Sequence, residues 1–162
     1  MTVPPVIVPP VIVPPVIIRA PLGGTVQPLA AVPDAVFAGQ MVGAGLAVEP
    51  SGAGPVQVVS PVDGTLVKLH PHAFVVLTAS GTGILVHLGI DTVKLAGEGF
   101  TLHREEGATV AAGDAIVTFD PDAVRARGMS AICPVVVLDS APDSVPAATG
   151  AVEACDVLFT WG

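Results

Sequence analysis

From Arg19 onward, short apolar runs alternate with clusters of glycine, proline and small polar residues. The runs predict strands at residues 24–27, 45–48, 56–59, 64–69, 73–78, 84–88, 109–110, 115–119, 135–138 and 157–160. Strands this short and this often interrupted predict an all-β fold, an antiparallel β-sandwich or barrel-like body with one or two short helical turns. One helix signal stands out in "FDPDAVRARG". Asp120 can cap, Pro121 suits the first helical position and Gly128 can end the turn. It spans about two turns and is expected only to decorate the sheet.

The first eighteen residues follow another pattern, with the pentamer VPPVI written three times between Val3 and Ile17. Paired prolines remove backbone donors and push the preceding residues to extended conformations. Residues 1–18 are therefore expected to form a poorly packed, polyproline-II-like tail, and residues 19–162 a single domain. The tail has neither a basic leader region nor a continuous apolar stretch, so it makes a poor signal peptide. A docking ligand for an aromatic groove is one reading of the tail, and an extension without chemistry is the plainer one.

Composition narrows the field of functions. The 162 residues are 51% apolar and 12% charged, with 18 glycines and 17 prolines, which fits strands and turns better than helices. A net charge of −8 repels phosphate backbones and argues against nucleic acid and anionic membranes, while leaving a basic protein partner open. Cys133 and Cys155 are not a C-x-x-C pair and are expected to be buried thiols in a reducing compartment. No uninterrupted apolar stretch is long enough to span a bilayer.

Three stretches carry candidate chemistry. "HPHAF" brings His70 and His72, and "GTGILVHLGIDTV" places His87 in an apolar run. Taken alone, a histidine on an apolar strand is most often a satisfied structural residue. Two of them, on strands joined by the "ASGTG" turn, point to a site. In period 2, His87 shares a face with Leu85 and Gly89, while Ile84 and Val86 point the other way. Gly89 is expected to leave room above the ring. The third stretch, "EEGATVAAGDAIVTFD", is architectural: Gly107 and Gly113 permit turns, and Asp114 can bond the turn backbone. The same pattern occurs in hammerhead-like biotinyl and lipoyl carriers.

These stretches together resemble the glucose-type enzyme IIA family of the bacterial phosphoenolpyruvate-dependent sugar phosphotransferase system. Gly81, Ile84, Leu85, Val86, His87, Leu88, Gly89, Ile90, Thr92 and Val93 fill that family's signature. "APLGGTV", "VPDAVFAGQMVGAGLAVEP", "SPVDGTL", "HAF", "GEGF" and "EEGATVAAGD" extend the similarity from Ala20 to about Gly162.

The resemblance implies a β-sandwich with a shallow, exposed site in the cytoplasm. It implies phosphoryl acceptance from the carrier protein HPr and onward transfer to a cysteine of a sugar-specific IIB domain or IIBC permease, which is the chain's link to the membrane. His87 matches the phosphorylated histidine and His72 the second active-site histidine. Gly89, Asp91 and Thr92 match supporting positions. Val36, Phe37, Val42, Phe74, Leu85 and Val93 match an apolar rim for partner docking. Family members can also bind and regulate other proteins, and at such an interface His72 and His87 can share a zinc ion with a partner's carboxylate. Family members often carry a threonine shortly before the second histidine. Here the segment is shorter and reads Leu69-His70-Pro71-His72, so His70 is the candidate replacement.

The chemistry suits imidazole, which is partly unprotonated near neutral pH and forms a phosphoramidate of high transfer potential. A second imidazole can donate an N–H to a phosphoryl oxygen without trapping the group. No P-loop appears, so no ATP site and no cofactor are expected. Cys133 heads an apolar strand without flanking arginines, so the acceptor thiol is expected on another chain. Two alternatives remain: a zinc-dependent hydrolase using His70, His72 and His87, or a hammerhead carrier modified on Lys68 or Lys94.

Overall fold

The computed structural model describes Val3 and residues 14–162. Among the described residues, thirteen strands and two short α-helices follow one another. They are β1 (Val16–Arg19), β2 (Gly24–Pro28), α1 (Ala35–Ala38), β3 (Gly43–Pro50), β4 (Val56–Val59), β5 (Gly64–His70), β6 (Ala73–Leu77), β7 (Gly83–His87), β8 (Phe100–Leu102), β9 (Thr109–Val110), β10 (Ala115–Phe119), α2 (Pro121–Ala126), β11 (Cys133–Leu138), β12 (Gly150–Val152) and β13 (Val157–Trp161). The expected all-β class is what the structure shows, and every strand pairing is antiparallel.

The main sheet has eight strands in the order β12-β2-β3-β11-β7-β6-β5-β9, facing a three-stranded sheet, β4-β10-β8. Period-2 alternation decides which side chains lie between them. Leu46, Leu66, Phe74, Val76, Ile84, Val86 and Val135 of the large sheet meet Val58, Ile116, Val117 and Phe119 of the small one in one buried cluster.

The other face of the large sheet is not left to water. Ala47 of β3 and Val136 of β11 join Leu29, Val32, Phe37, Ile90 and Ile132 in a second, smaller buried cluster, with Val42 and Leu85 packed against it. Strands buried on both faces read as continuous apolar runs, as "CPVVVL" does. α1 and a 3-10 turn at Leu29–Ala31 lie over this second face.

The turn chemistry expected of "EEGATVAAGD" is present. Gly107 and Gly113 both have φ of +94°, and Asp114 Oδ2 accepts the Ala111 amide at 2.9 Å. α2 is also as expected at its start, where Asp120 Oδ1 accepts the amides of Asp122 and Ala123. It does more than decorate the sheet. Val124 is buried in the main core, and Arg125 bonds both the Glu49 carboxylate and the Pro50 carbonyl.

The boundary expected after residue 18 is corrected by the structure. Val16–Arg19 forms β1 and pairs with β13, and Ile18 is fully buried in the main core. The reason is local: Pro15 is the last proline of the repeat, so Val16–Arg19 keep their amides and can join a ladder. Residues 1–2 and 4–13 of the expected polyproline-II-like tail lie outside the described residues. Among the described residues, no helix is long and apolar enough to cross a membrane.

Candidate active site

His87 is the last residue of β7, and His72 lies in the tight turn between β5 and β6. Ala73 of β6 stands opposite His87, and the Leu88 amide donates to the His72 carbonyl at 2.7 Å. The two imidazoles meet edge to face, with centroids 5.3 Å apart and an interplanar angle of 71°. His70, at the end of β5, stacks on His72 with centroids 5.8 Å apart at 25°.

The tautomer of His87 follows from its neighbour. Nδ1 lies 2.6 Å from the Gly89 carbonyl oxygen, which can only accept. Nδ1 therefore carries the proton and Nε2 keeps its lone pair, the form a nucleophile needs.

The second-face cluster explains the electrostatics. His87 shares the face of Leu85, and its ring lies 5.2 Å from that of Phe37 at 60°. Burial among these groups disfavours imidazolium and outweighs the Gly89 bond and the charges of Asp34 and Asp91, so the pKa of His87 falls below 6.5. His72 is also held below 6.5, first by burial and then by the imidazoles of His87 and His70. Both rings are neutral at neutral pH.

The supporting residues serve the turn after β7. Thr92 is buried and donates Oγ1 to the Leu88 carbonyl at 2.7 Å. Gly89 has φ of +77°, and a Cβ there would lie 2.7 Å from Thr92 Cγ2 and 2.9 Å from the Ser130 carbonyl. Glycine is thus required on the packed side of the turn, rather than for room above the imidazole as expected from sequence. Asp91 adopts a left-handed conformation (φ +62°), leads a 3-10 turn at Thr92–Leu95, and its charge acts on His87.

The expected rim divides. Val36 and Val93 are exposed, at 43% and 61%, while Val42 and Leu85 are partly buried against the second cluster. Phe37 is mostly buried and packs on His87 instead of facing solvent. Phe74 is corrected outright: alternation along β6 turns it into the main core, 1% exposed, opposite Val86. Met41, 74% exposed just after α1, was not expected and is the most exposed apolar side chain of that segment. Asp34 was also missed; its Oδ1 caps α1 by accepting the Val36 and Phe37 amides. An aspartate directly before "AVFA" is the signal that could have found it.

Cys133 is fully buried, its thiol pushed up to about 12 by desolvation, as expected for a core residue. Cys155 is exposed, contrary to the expectation that both cysteines are buried, because it lies in the turn before β13. Among the described residues, no group of three His, Cys, Asp or Glu side chains could hold a metal ion. A concavity of about 580 Å³ is lined by Pro14, Ile17, Arg19, Thr78 and Ser80 among others and contains none of the histidines.

Fold and site together define an all-β protein that presents a pair of neutral histidines on an open face, beside apolar side chains. Residues 16–142 match the family model described as phosphoenolpyruvate-dependent sugar phosphotransferase system, EIIA 1. The chain belongs to that family. It is 43% identical over 136 residues to the "PTS system glucose-specific EIIA component" of Bacillus cereus, a match covering 82% of this chain and 81% of the relative. The component of the same name from Bacillus anthracis matches equally. The solved glucose permease IIA from Mycoplasma capricolum superposes with a TM-score of 0.82 at 34% identity, covering 91% of this chain and 96% of that one.

Proposed function

We propose that this chain is a phosphoryl carrier of a sugar phosphotransferase system, of the glucose type to which its named relatives belong. His87 Nε2 attacks the phosphorus of phosphorylated HPr. The N–P bond on HPr breaks as the N–P bond on His87 forms. In the second half, a thiolate of the IIB partner attacks the same phosphorus, an S–P bond forms, and His87 is released with its lone pair restored.

The observation that supports this most is the Nδ1-to-Gly89 bond, which leaves the unprotonated Nε2 of a neutral ring for in-line attack. His72 stands beside that ring as a neutral N–H donor. As the phosphoryl group arrives, its negative charge favours a proton on His72. The charge is then balanced during transfer without a permanent ion pair that would trap the group. An open face with exposed Val36, Met41 and Val93 suits two protein partners used in turn, and these side chains exclude water from the phosphoramidate once a partner docks. The setting is the cytoplasm, with the membrane reached through the permease. Regulatory binding to further proteins, with zinc shared between the two histidines and a partner's carboxylate, would use this same face.

The experiment is incubation with phosphoenolpyruvate, enzyme I and HPr, followed by mapping of acid-labile, base-stable phosphate. His87→Ala should take up none. Incorporation at His70, His72 or His103 in that variant overturns the assignment.

A further inference from the structure

The proposed reaction uses two imidazoles, yet three stand in a row. His70 is exposed, ends β5, and lies nearly parallel to His72 at 5.8 Å, while His72 presents its edge to His87 at 5.3 Å. Pro71 between the first two restricts the backbone of the turn that carries His72, and its ring lies near Gly97.

We propose that His70 is a positioning residue for the relay: stacked on His72, it holds that ring edge-on to His87 and keeps the two stacked rings from being charged at once. The inference rests on the phosphoryl reading of His87 for its purpose, although the stack can be tested without it.

The argument is electrostatic and geometric. Two imidazolium rings in face contact repel, so a proton on one disfavours a proton on the other. His70 is among the groups that depress protonation of His72, after burial and His87. The other ionisable groups near the row are Lys68, two residues earlier on β5, Glu106, whose Oε1 accepts the Leu69 amide at 3.1 Å, and Asp34 and Asp91, whose charges act on His87. When a dianionic phosphoryl group reaches His87, the stack takes up one proton. That proton resides on His72 while the group is present. His70, further out and exposed, stays stacked on that ring and disfavours its charge once the group leaves. The result is a donor that turns cationic on demand and loses that charge readily.

The test is a histidine-ring NMR titration of the whole, unphosphorylated chain, in wild type, His70→Phe and His70→Gln. Phenylalanine keeps the stack and removes the charge, and glutamine removes both the ring and the charge. In both variants the His72 midpoint should rise by about half a pH unit, the size of a water-screened repulsion between unit charges at such a separation. In His70→Gln alone, the contacts between the His72 and His87 rings should weaken. A His72 midpoint unchanged in both variants overturns the proposal. In the relay assay, the alkaline limb of the pH profile for onward transfer to IIB should move up in His70→Phe by a similar amount. A titration shift with an unmoved profile would remove His70 from the mechanism and leave it a surface neighbour. Failure of the wild type to accept phosphate from HPr would count against the reading of His87, and the titration would still decide the stack.

Discussion

The carbonyl oxygen of His72 accepts the amide of Leu88 at 2.7 Å, which ties the turn carrying one imidazole to the residue following the other. The spacing of the two rings is therefore set by main chain, and either side chain can be changed without releasing the frame.

His72→Gln should exploit that independence. Glutamine keeps a neutral N–H donor of similar reach but cannot gain a proton as charge moves. Phosphohistidine at His87 should still form, while onward transfer to a IIB cysteine slows by about two to three orders of magnitude, the usual effect of losing one charge-stabilising contact. Quench-flow rates for both half-reactions check this. Near-wild-type rates in both would make His72 structural.

The depressed pKa values of His72 and His87 make stability depend on acid. Below pH 6.5 the unfolded chain binds protons that the folded rings resist, so stability falls as pH drops through 6.5 towards the folded values and is retained above it. Urea midpoints at pH 7.5 and 5.0 measure the loss. The double variant His72→Gln, His87→Gln should lose less across that interval, and an equal loss would place the acid sensitivity elsewhere.

Two deletions should separate tail from fold. A chain beginning at Pro14 retains β1 and should accept phosphate and melt like the full chain. A chain beginning at Arg19 loses the pairing with β13 and the buried Ile18 side chain, whose burial alone contributes roughly 1.5–3 kcal/mol. Its melting temperature should fall by several degrees. Matching melting curves for the two deletions would contradict the packing of β1.

Charge on the rim should distinguish docking from folding. Val36→Asp and Met41→Asp place a carboxylate on exposed positions and should weaken HPr binding at least about tenfold with little change in melting temperature. Phe37→Asp, by contrast, buries the charge under His87 and should destabilise the fold itself. Calorimetric titration and thermal melts on the same three variants give both readouts. Unaltered affinity in Val36→Asp and Met41→Asp would move the docking face elsewhere.

Much of this architecture is visible in the chain because turns announce themselves. Ten strands were expected within a residue or two of their positions, and α2 was marked by Asp120, Pro121 and Gly128. β1 was hidden by the prolines before it, although its own three apolar residues carry amides. Phe100–Leu102 and Gly150–Val152 are strands only because a neighbour pairs with them; three residues hold no period of their own. α1 is four residues long, and its single buried side chain, Phe37, gave no helical spacing to read. The histidine pair was legible from its motif and from the hairpin. The second buried face was not, since it is assembled from residues 29, 32, 37, 47, 90, 132 and 136, and with it went the reason for Phe37 lying inside and for the lowered pKa of His87.

β7 and β6 occupy the interior of the eight-stranded sheet, with β11 on one side and β5 on the other. Interior strands exchange their amides only when the whole domain opens. The proposed chemistry is thus seated on strands that open only with the domain as a whole. Heat should not produce a folded but inert species; the capacity to take up phosphate and the sheet itself should disappear in one cooperative event, and each should return with the other on cooling.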